Sequence, residues 1–253
     1  MDITHAPVTR PPAVRHVDAA APLSWLLHAL LDFRRAPAVS LFYGAAFVVM
    51  GYLMFFYFGN RPEYVITCAT AFLLLGPFLS IGLYDIAQRL EQHGEVHLLP
   101  TLTAWRANLP GITLFAVMLA MLVFFWFRIS QLMFALFYTG DIPALSDIVA
   151  NAFTAGNLGF LVVYFGLGLV FAAVAFSFSV VAIPMMLDRN VDTVTAILTS
   201  LHATAKNIPA MLVWAGLIAL LTVIGFATFA VGLAILMPLI GLASWHAYRA
   251  LVE

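Results

Sequence analysis

The chain is predicted to be an all-α membrane protein, with six transmembrane helices arranged as three repeated hairpins, each preceded by a cytoplasmic interfacial amphipathic helix. Three observations predict this. Of 253 residues, 64% are hydrophobic and only 9% charged, where a soluble domain carries about a quarter charged. The apolar residues come in long unbroken runs, which in lipid must satisfy their backbone hydrogen bonds as helix, whereas barrel strands alternate. A short grammar of amphipathic segment, basic residue, proline and two apolar runs occurs three times.

Residues 1–21 carry Pro7, Pro11 and Pro12 among Ala, Arg and His, and are expected to be a flexible cytoplasmic tail. Residues 22–253 are expected to form one membrane domain, with spans at about 38–58, 63–84, 110–128, 157–187, 209–226 and 229–248. Leu23, Leu26, Leu27, Leu30 and Leu31 recur at helical spacing among Ser24, His28, Asp32 and Arg35, which predicts the first interfacial helix. Pro37 stops it. Gly59, Asn60, Arg61 and Pro62 predict a tight turn between the first two spans. Between Asp85 and Leu109 the residues Ile86, Leu90, Leu98, Leu99, Leu102 and Trp105 predict a second interfacial segment. Arg128 lies where the third span is expected to leave the hydrocarbon, and is read as an arginine reaching for the far interface. Ser130 to Asn151 is expected to be an external loop.

The stretch from Gly156 to Arg189 is the longest of these runs, with no ionisable Asp, Glu, Lys, Arg or His between Gly156 and Leu187. Gly168, Ala172, Ala175 and Ser179 share one helical face, so it is predicted to be the central post, packed against helices of the other repeats. Val191, Val194, Leu198, Leu201 and Ala205 then predict the third interfacial helix. Ile208 to Trp245 has no charged residue and is too long for one span, so a turn is placed at Gly225–Gly232.

The three junctions read Arg34-Arg35-Ala36-Pro37, Arg106-Ala107-Asn108-Leu109-Pro110 and Lys206-Asn207-Ile208-Pro209. Proline suits the first turn of a helix, where its missing N–H has no partner to lose. The second span of each hairpin has a late proline, at Pro77, Pro184 and Pro238, followed eight residues on by Asp85, Asp192 and His246. A repeat of this kind predicts a pseudo-threefold axis along the membrane normal. It makes Asp85, Asp192 and His246 a candidate polar cluster at the cytoplasmic mouth. Arg10, Arg15, Arg34, Arg35, Arg89, Arg106, Arg189, Lys206 and Arg249 fall on one side of the predicted membrane, and Arg61 and Arg128 on the other. That asymmetry places both termini in the cytoplasm.

Asp32-Phe33-Arg34-Arg35-Ala36-Pro37, Arg128-Ile129-Ser130-Gln131, the run Ser179 to Arg189, and Ser244-Trp245-His246-Ala247-Tyr248-Arg249 resemble a family of bacterial polytopic integral membrane proteins of unknown function. The resemblance spans roughly residues 22–250. It implies fold and topology, with no established activity to carry over. Members are sometimes labelled similar to cytochrome c oxidase subunit I. Haem and copper centres need buried axial ligands, and of the seven histidines only His246 falls within a predicted span, at its cytoplasmic end.

Chemistry-bearing motifs are sparse. His93-Gly94-Glu95-Val96-His97 spaces two histidines by four, but the zincin order puts Glu directly after the first. It is read as a polar interfacial face. Tyr84, Trp105, Trp245 and Tyr248 are read as an aromatic belt. Met185, Met186 and the single cysteine, Cys68, are read as packing residues. No catalytic, cofactor-binding or metal-binding residue is expected. A net charge of −1 gives no reason to expect nucleic acid. The expected partners are the lipid bilayer and other integral membrane proteins. The expected function is a non-enzymatic inner-membrane accessory or assembly protein, for instance of a respiratory complex, with a permease or channel for a small neutral or amphipathic solute as the alternative.

Overall fold

A computed structural model describes residues 12–58, 61–92, 94–138, 155–189 and 191–253. Every named element among them is helical: α1 (Ala21–Arg35), α2 (Pro37–Phe58), α3 (Pro62–Leu79), α4 (Ile81–Glu91), α5 (Leu98–Leu102), a 3-10 turn (Ala104–Asn108), α6 (Leu109–Phe137), α7 (Ala155–Ser179), α8 (Ala182–Asp188), α9 (Thr193–Lys206), α10 (Ile208–Ala227) and α11 (Leu233–Leu251). The expected turn at Gly59 and Asn60 and most of the expected external loop lie outside the described residues. Among the described residues four segments are long and apolar enough to cross a membrane: Pro37–Tyr57, Ala104–Phe137, Leu158–Asp188 and Ile208–Ala227.

Local chemistry accounts for the boundaries. Arg34 and Arg35 occupy the last turn of α1, where cations complement the helix dipole. Ala36 then leaves the helical region because Pro37 disfavours it for the preceding residue. Asn108 starts α6 by accepting from the Gly111 N–H, and Asp192 starts α9 by accepting from the Thr195 N–H. The expected second span divides at Ser80, whose hydroxyl donates to the Gly76 carbonyl at 2.9 Å. The expected fourth span divides at Val180 and Val181. There the Ser179 hydroxyl donates to the Ala175 carbonyl, and Ser200 of α9 accepts from the freed Val181 N–H at 3.2 Å. Pro184 then sits in the first turn of α8 rather than at the end of a continuous span. The third helix runs on to Phe137, nine residues beyond Arg128, which is exposed on it.

The central helix is α11, not the Gly156–Arg189 stretch. Twelve of its nineteen residues are buried, whereas the most apolar window of Leu158–Asp188 is only 17% buried. α11 packs against α1, α2, α4 and α10. Its approach to α2 is set by glycine: a Cβ at Gly44 would stand 1.9 Å from the Ala234 carbonyl oxygen. A Cβ at Gly241 would strike the Leu83 side chain of α4. The predicted small-residue stripe has a humbler role. Gly168 faces Trp126 of α6, the partner helix within its own expected hairpin, although α7 also packs on α3 and α9.

Two further features position the polar ends. Thr67, Ser130 and Tyr164, all buried, join α3, α6 and α7 through their hydroxyls, with Ser130 and Tyr164 2.7 Å apart. Residues 12–20, nine of the 21 residues of the expected flexible tail, are pinned instead. Val17 N–H donates to the Asn207 side chain at 2.8 Å, Lys206 Nζ donates to the Val14 carbonyl at 2.6 Å, and Val14 forms an antiparallel bridge with Val252.

Candidate functional site

The densest polar constellation gathers the exits of three helices around Asp188. This carboxylate ends α8. It accepts the Tyr248 hydroxyl of α11 at 2.6 Å and the Gln88 side-chain amide of α4 at 3.1 Å. Arg189 and Arg249 each stand 3.7 Å from the same carboxylate oxygen. Arg189 Nε also donates to the Tyr248 hydroxyl oxygen at 3.1 Å. Arg249 reaches across to Glu91 at 3.0 Å, and Glu91 accepts the Trp245 indole N–H at 3.0 Å. Trp245 and Tyr248 pack edge to face, ring centroids 5.4 Å apart.

Helix periodicity explains the convergence. Trp245, Tyr248 and Arg249 lie at i, i+3 and i+4 on α11, so they share one face. Gln88 and Glu91 lie three apart on the last turn of α4. Asp188 and Arg189 arrive where α8 ends and the chain becomes extended. Charges of both signs alternate around the cluster, and its buried hydroxyl and indole N–H both have acceptors, as buried polar groups require. Such an arrangement can clamp helices and hold their ends in register. Its groups are paired with one another, so none stands out as a nucleophile or general base.

The three residues singled out by the sequence are each committed elsewhere. Asp85 holds Arg89 one turn along its own helix at 2.7 Å. Asp192 caps α9 through the Thr195 hydroxyl at 2.6 Å and the Thr195 N–H at 3.0 Å, and these two bonds hold its carboxyl below the usual aspartate range. His246 faces Asp32 of α1 at 2.7 Å, with the His28 ring 5.3 Å away. Among the described residues no hydrogen bond or ion pair joins any two of Asp85, Asp192 and His246. The helix exits they mark do meet, through Gln88 and Glu91, Asp188 and Arg189, and Trp245, Tyr248 and Arg249. The signal for that lay in the specific-looking runs ending in Met-Met-Leu-Asp-Arg and Trp-His-Ala-Tyr-Arg.

The remaining candidates are simpler. His97 pairs with Glu95 at 3.1 Å, both exposed, while His93 lies outside the described residues. Among the described residues no group of three His, Cys, Asp or Glu side chains could hold a metal ion. Met185 and Met186 are buried in the core. Of the expected aromatic belt, Tyr84, Trp245 and Tyr248 are buried, and only Trp105 is exposed.

A stretch of apolar helices that runs from α3 to the Asp188 hub is what the comparison with known families recognises. Residues 65–188 match the family described as predicted integral membrane protein (DUF2189). The DUF2189 match covers α4 with Gln88 and Glu91 and ends on Asp188 itself. The resemblance expected from the sequence, over residues 22–250, is thus met over a shorter stretch; Trp245, Tyr248 and Arg249 lie beyond it. DUF2189 is a family of unknown function. No curated protein and no solved structure matches the chain.

Proposed function

We propose that this protein is a non-enzymatic accessory or assembly protein of a bacterial inner membrane, holding other integral membrane proteins against its lipid-facing helices. The Asp188 hub carries this reading. It joins α4, α8 and α11 through Gln88, Glu91, Asp188, Arg189, Trp245, Tyr248 and Arg249, which ties three helix ends into one scaffold. The outward faces support it: Phe124 and Phe125 on α6, Val162, Phe165 and Leu169 on α7, and Leu212 and Val223 on α10 are large, apolar and exposed, as lipid or a partner helix requires.

In this reading α3 and α11 also cross the bilayer. At about 1.5 Å per residue, their eighteen and nineteen residues approach the ~30 Å hydrocarbon core. The six spans form three hairpins, and the basic residues place both termini in the cytoplasm. α1, α5 and α9 lie along the cytoplasmic interface, with Leu23, Leu27 and Leu31, then Leu99, then Val194 and Leu198 facing outward.

Photocrosslinking residues placed at Phe125, Phe165 and Leu212 of the membrane-embedded chain test the scaffold. A discrete protein adduct from one face, recovered in stoichiometric amount after mild-detergent purification, is the expected result. Labelling of lipid alone from all three positions, together with recovery as a lone monomer, overturns it.

A further inference from the structure

Three helix junctions share one backbone geometry, and one of them is open. Ala36 between α1 and α2 has φ −129° and ψ 57°. Asn108, before α6, has φ −141° and ψ 64°. Asn207, before α10, has φ −126° and ψ 37°. At each, a chain segment passes close by. The Asn108 carboxamide seals its junction by donating to the Val191 carbonyl at 2.8 Å and the Met186 carbonyl at 3.3 Å, while its oxygen accepts from Gly111. The Asn207 carboxamide does the same to the segment before α1, donating to the Arg15 carbonyl at 3.0 Å and accepting from Val17. Both asparagines are buried.

The third junction has alanine in that place. The passing segment is 94–97, tied to the end of α4 by the Gly94 N–H donating to the Arg89 carbonyl at 2.9 Å. Where a carboxamide would bridge the gap, a cavity of about 470 Å³ remains, lined by Arg35, Ala36, Val39, Leu90, Glu95 and His97 among others. It lies at the first residues of Pro37–Tyr57, a segment fit to cross a membrane, and so at headgroup depth. The Arg35 side chain is 62% exposed, and among the described residues its one ion pair is a 3.7 Å contact with Asp32, which is held more closely by His246 at 2.7 Å. Glu95 is paired with His97 across the rim.

We propose that this pocket binds the phosphate of a phospholipid headgroup, which supplies the polar bridge that Asn108 and Asn207 supply at the other two junctions. Arg35 is the phosphate's partner, since a guanidinium offers the fork of donors that phosphate oxygens accept. Glu95 favours a headgroup that ends in an ammonium, so ethanolamine lipids are preferred over glycerol lipids.

The test uses the full chain, delipidated in mild detergent and followed by native mass spectrometry during titration with phosphatidylethanolamine, phosphatidylglycerol and, separately, inorganic phosphate. The expected result is one tightly retained phosphatidylethanolamine. Arg35→Gln weakens it tenfold or more, while Arg34→Gln, a neighbouring exposed arginine outside the pocket, changes it less than twofold. Glu95→Gln removes the preference between the two lipids. Ala36→Asn, which rebuilds the carboxamide seal, abolishes retention and raises the melting temperature. Near-ultraviolet circular dichroism of each variant establishes that the fold is intact. Should Arg35-dependent binding be seen with inorganic phosphate and not with either lipid, the phosphate site stands and its source is a free anion. Equal losses in Arg34→Gln and Arg35→Gln, or retention unchanged in both Arg35→Gln and Ala36→Asn, overturn the proposal.

Discussion

Replacing Asp188 by Ala removes the acceptor on which three helix exits depend. Two hydrogen bonds to its carboxylate are lost, from Tyr248 at 2.6 Å and from Gln88 at 3.1 Å. Hydrogen bonds to a charged group contribute about 1.5–3 kcal/mol each. The carboxylate is 18% exposed, and the arginines beside it are 30% and 42% exposed, so solvent screening argues for the lower end. The expected loss is about 3 kcal/mol, made up mainly of the Tyr248 hydroxyl left inside the core without its carboxylate. Tyr248→Phe removes the donor and leaves no orphan of its own, so it should cost about 1.5 kcal/mol. If the two groups act through each other, the double variant costs less than the sum of the singles, by about 1.5 kcal/mol. Reversible unfolding in mixed detergent and dodecyl sulfate micelles reads all four corners of the cycle. Trp245, packed on Tyr248, is a local fluorescence reporter. A coupling below about 0.5 kcal/mol would refute the hub, because it would mean that the two side chains stabilise the helix ends independently.

Four further outcomes follow from the geometry. Gly44→Ala should destabilise by several kcal/mol on the same unfolding assay, because its Cβ would stand 1.9 Å from the Ala234 carbonyl and α2 would have to move off α11. Gly216→Ala, with nothing within 4 Å, should instead stabilise α10 by about 0.5 kcal/mol; a similar response to both substitutions contradicts the packing described. Ser40→Ala should be neutral or stabilising by up to about 1 kcal/mol, since the buried Ser40 hydroxyl has no hydrogen-bond partner among the described residues, and a loss above 1 kcal/mol shows a partner that the geometry lacks. Asp192→Ala should cost about 1 kcal/mol through the lost cap of α9. Because the Asp192 carboxyl is held below its ordinary range when folded, its contribution is fully present above about pH 4 and lost as the pH falls further. Asp192→Asn keeps the cap and should lose that acid dependence in melts across pH 3–6.

The sequence by itself determined that these segments are helical and where several of the helices begin or end. Pro37, the Asn108–Pro110 and Asn207–Pro209 runs, and Asp192 act through φ restriction and capping, which are properties of a residue and its immediate neighbours. Composition alone determined that those helices belong in a membrane. Only the tertiary structure decided which helix is central. In lipid the outside of a bundle is as apolar as its inside, so α7 with its exposed Phe165 and α11 with its buried Leu242 read alike, and no hydrophobic contrast marks the core. The choice fell to α11 through shape, by way of Gly44 and Gly241, whose missing side chains allow backbones to touch. The polar site divides along the same line. That prolines and charges mark the helix exits was legible in the sequence. Which side chains meet there depended on where each helix breaks: the bend at Ser80 and the end of α8 at Asp188 turn Gln88, Glu91 and Asp188 toward Trp245, Tyr248 and Arg249, and leave Asp85 with Arg89 and His246 with Asp32. A one-residue change of phase rotates a helical side chain by about 100°, and no short-range rule in the sequence sets that phase.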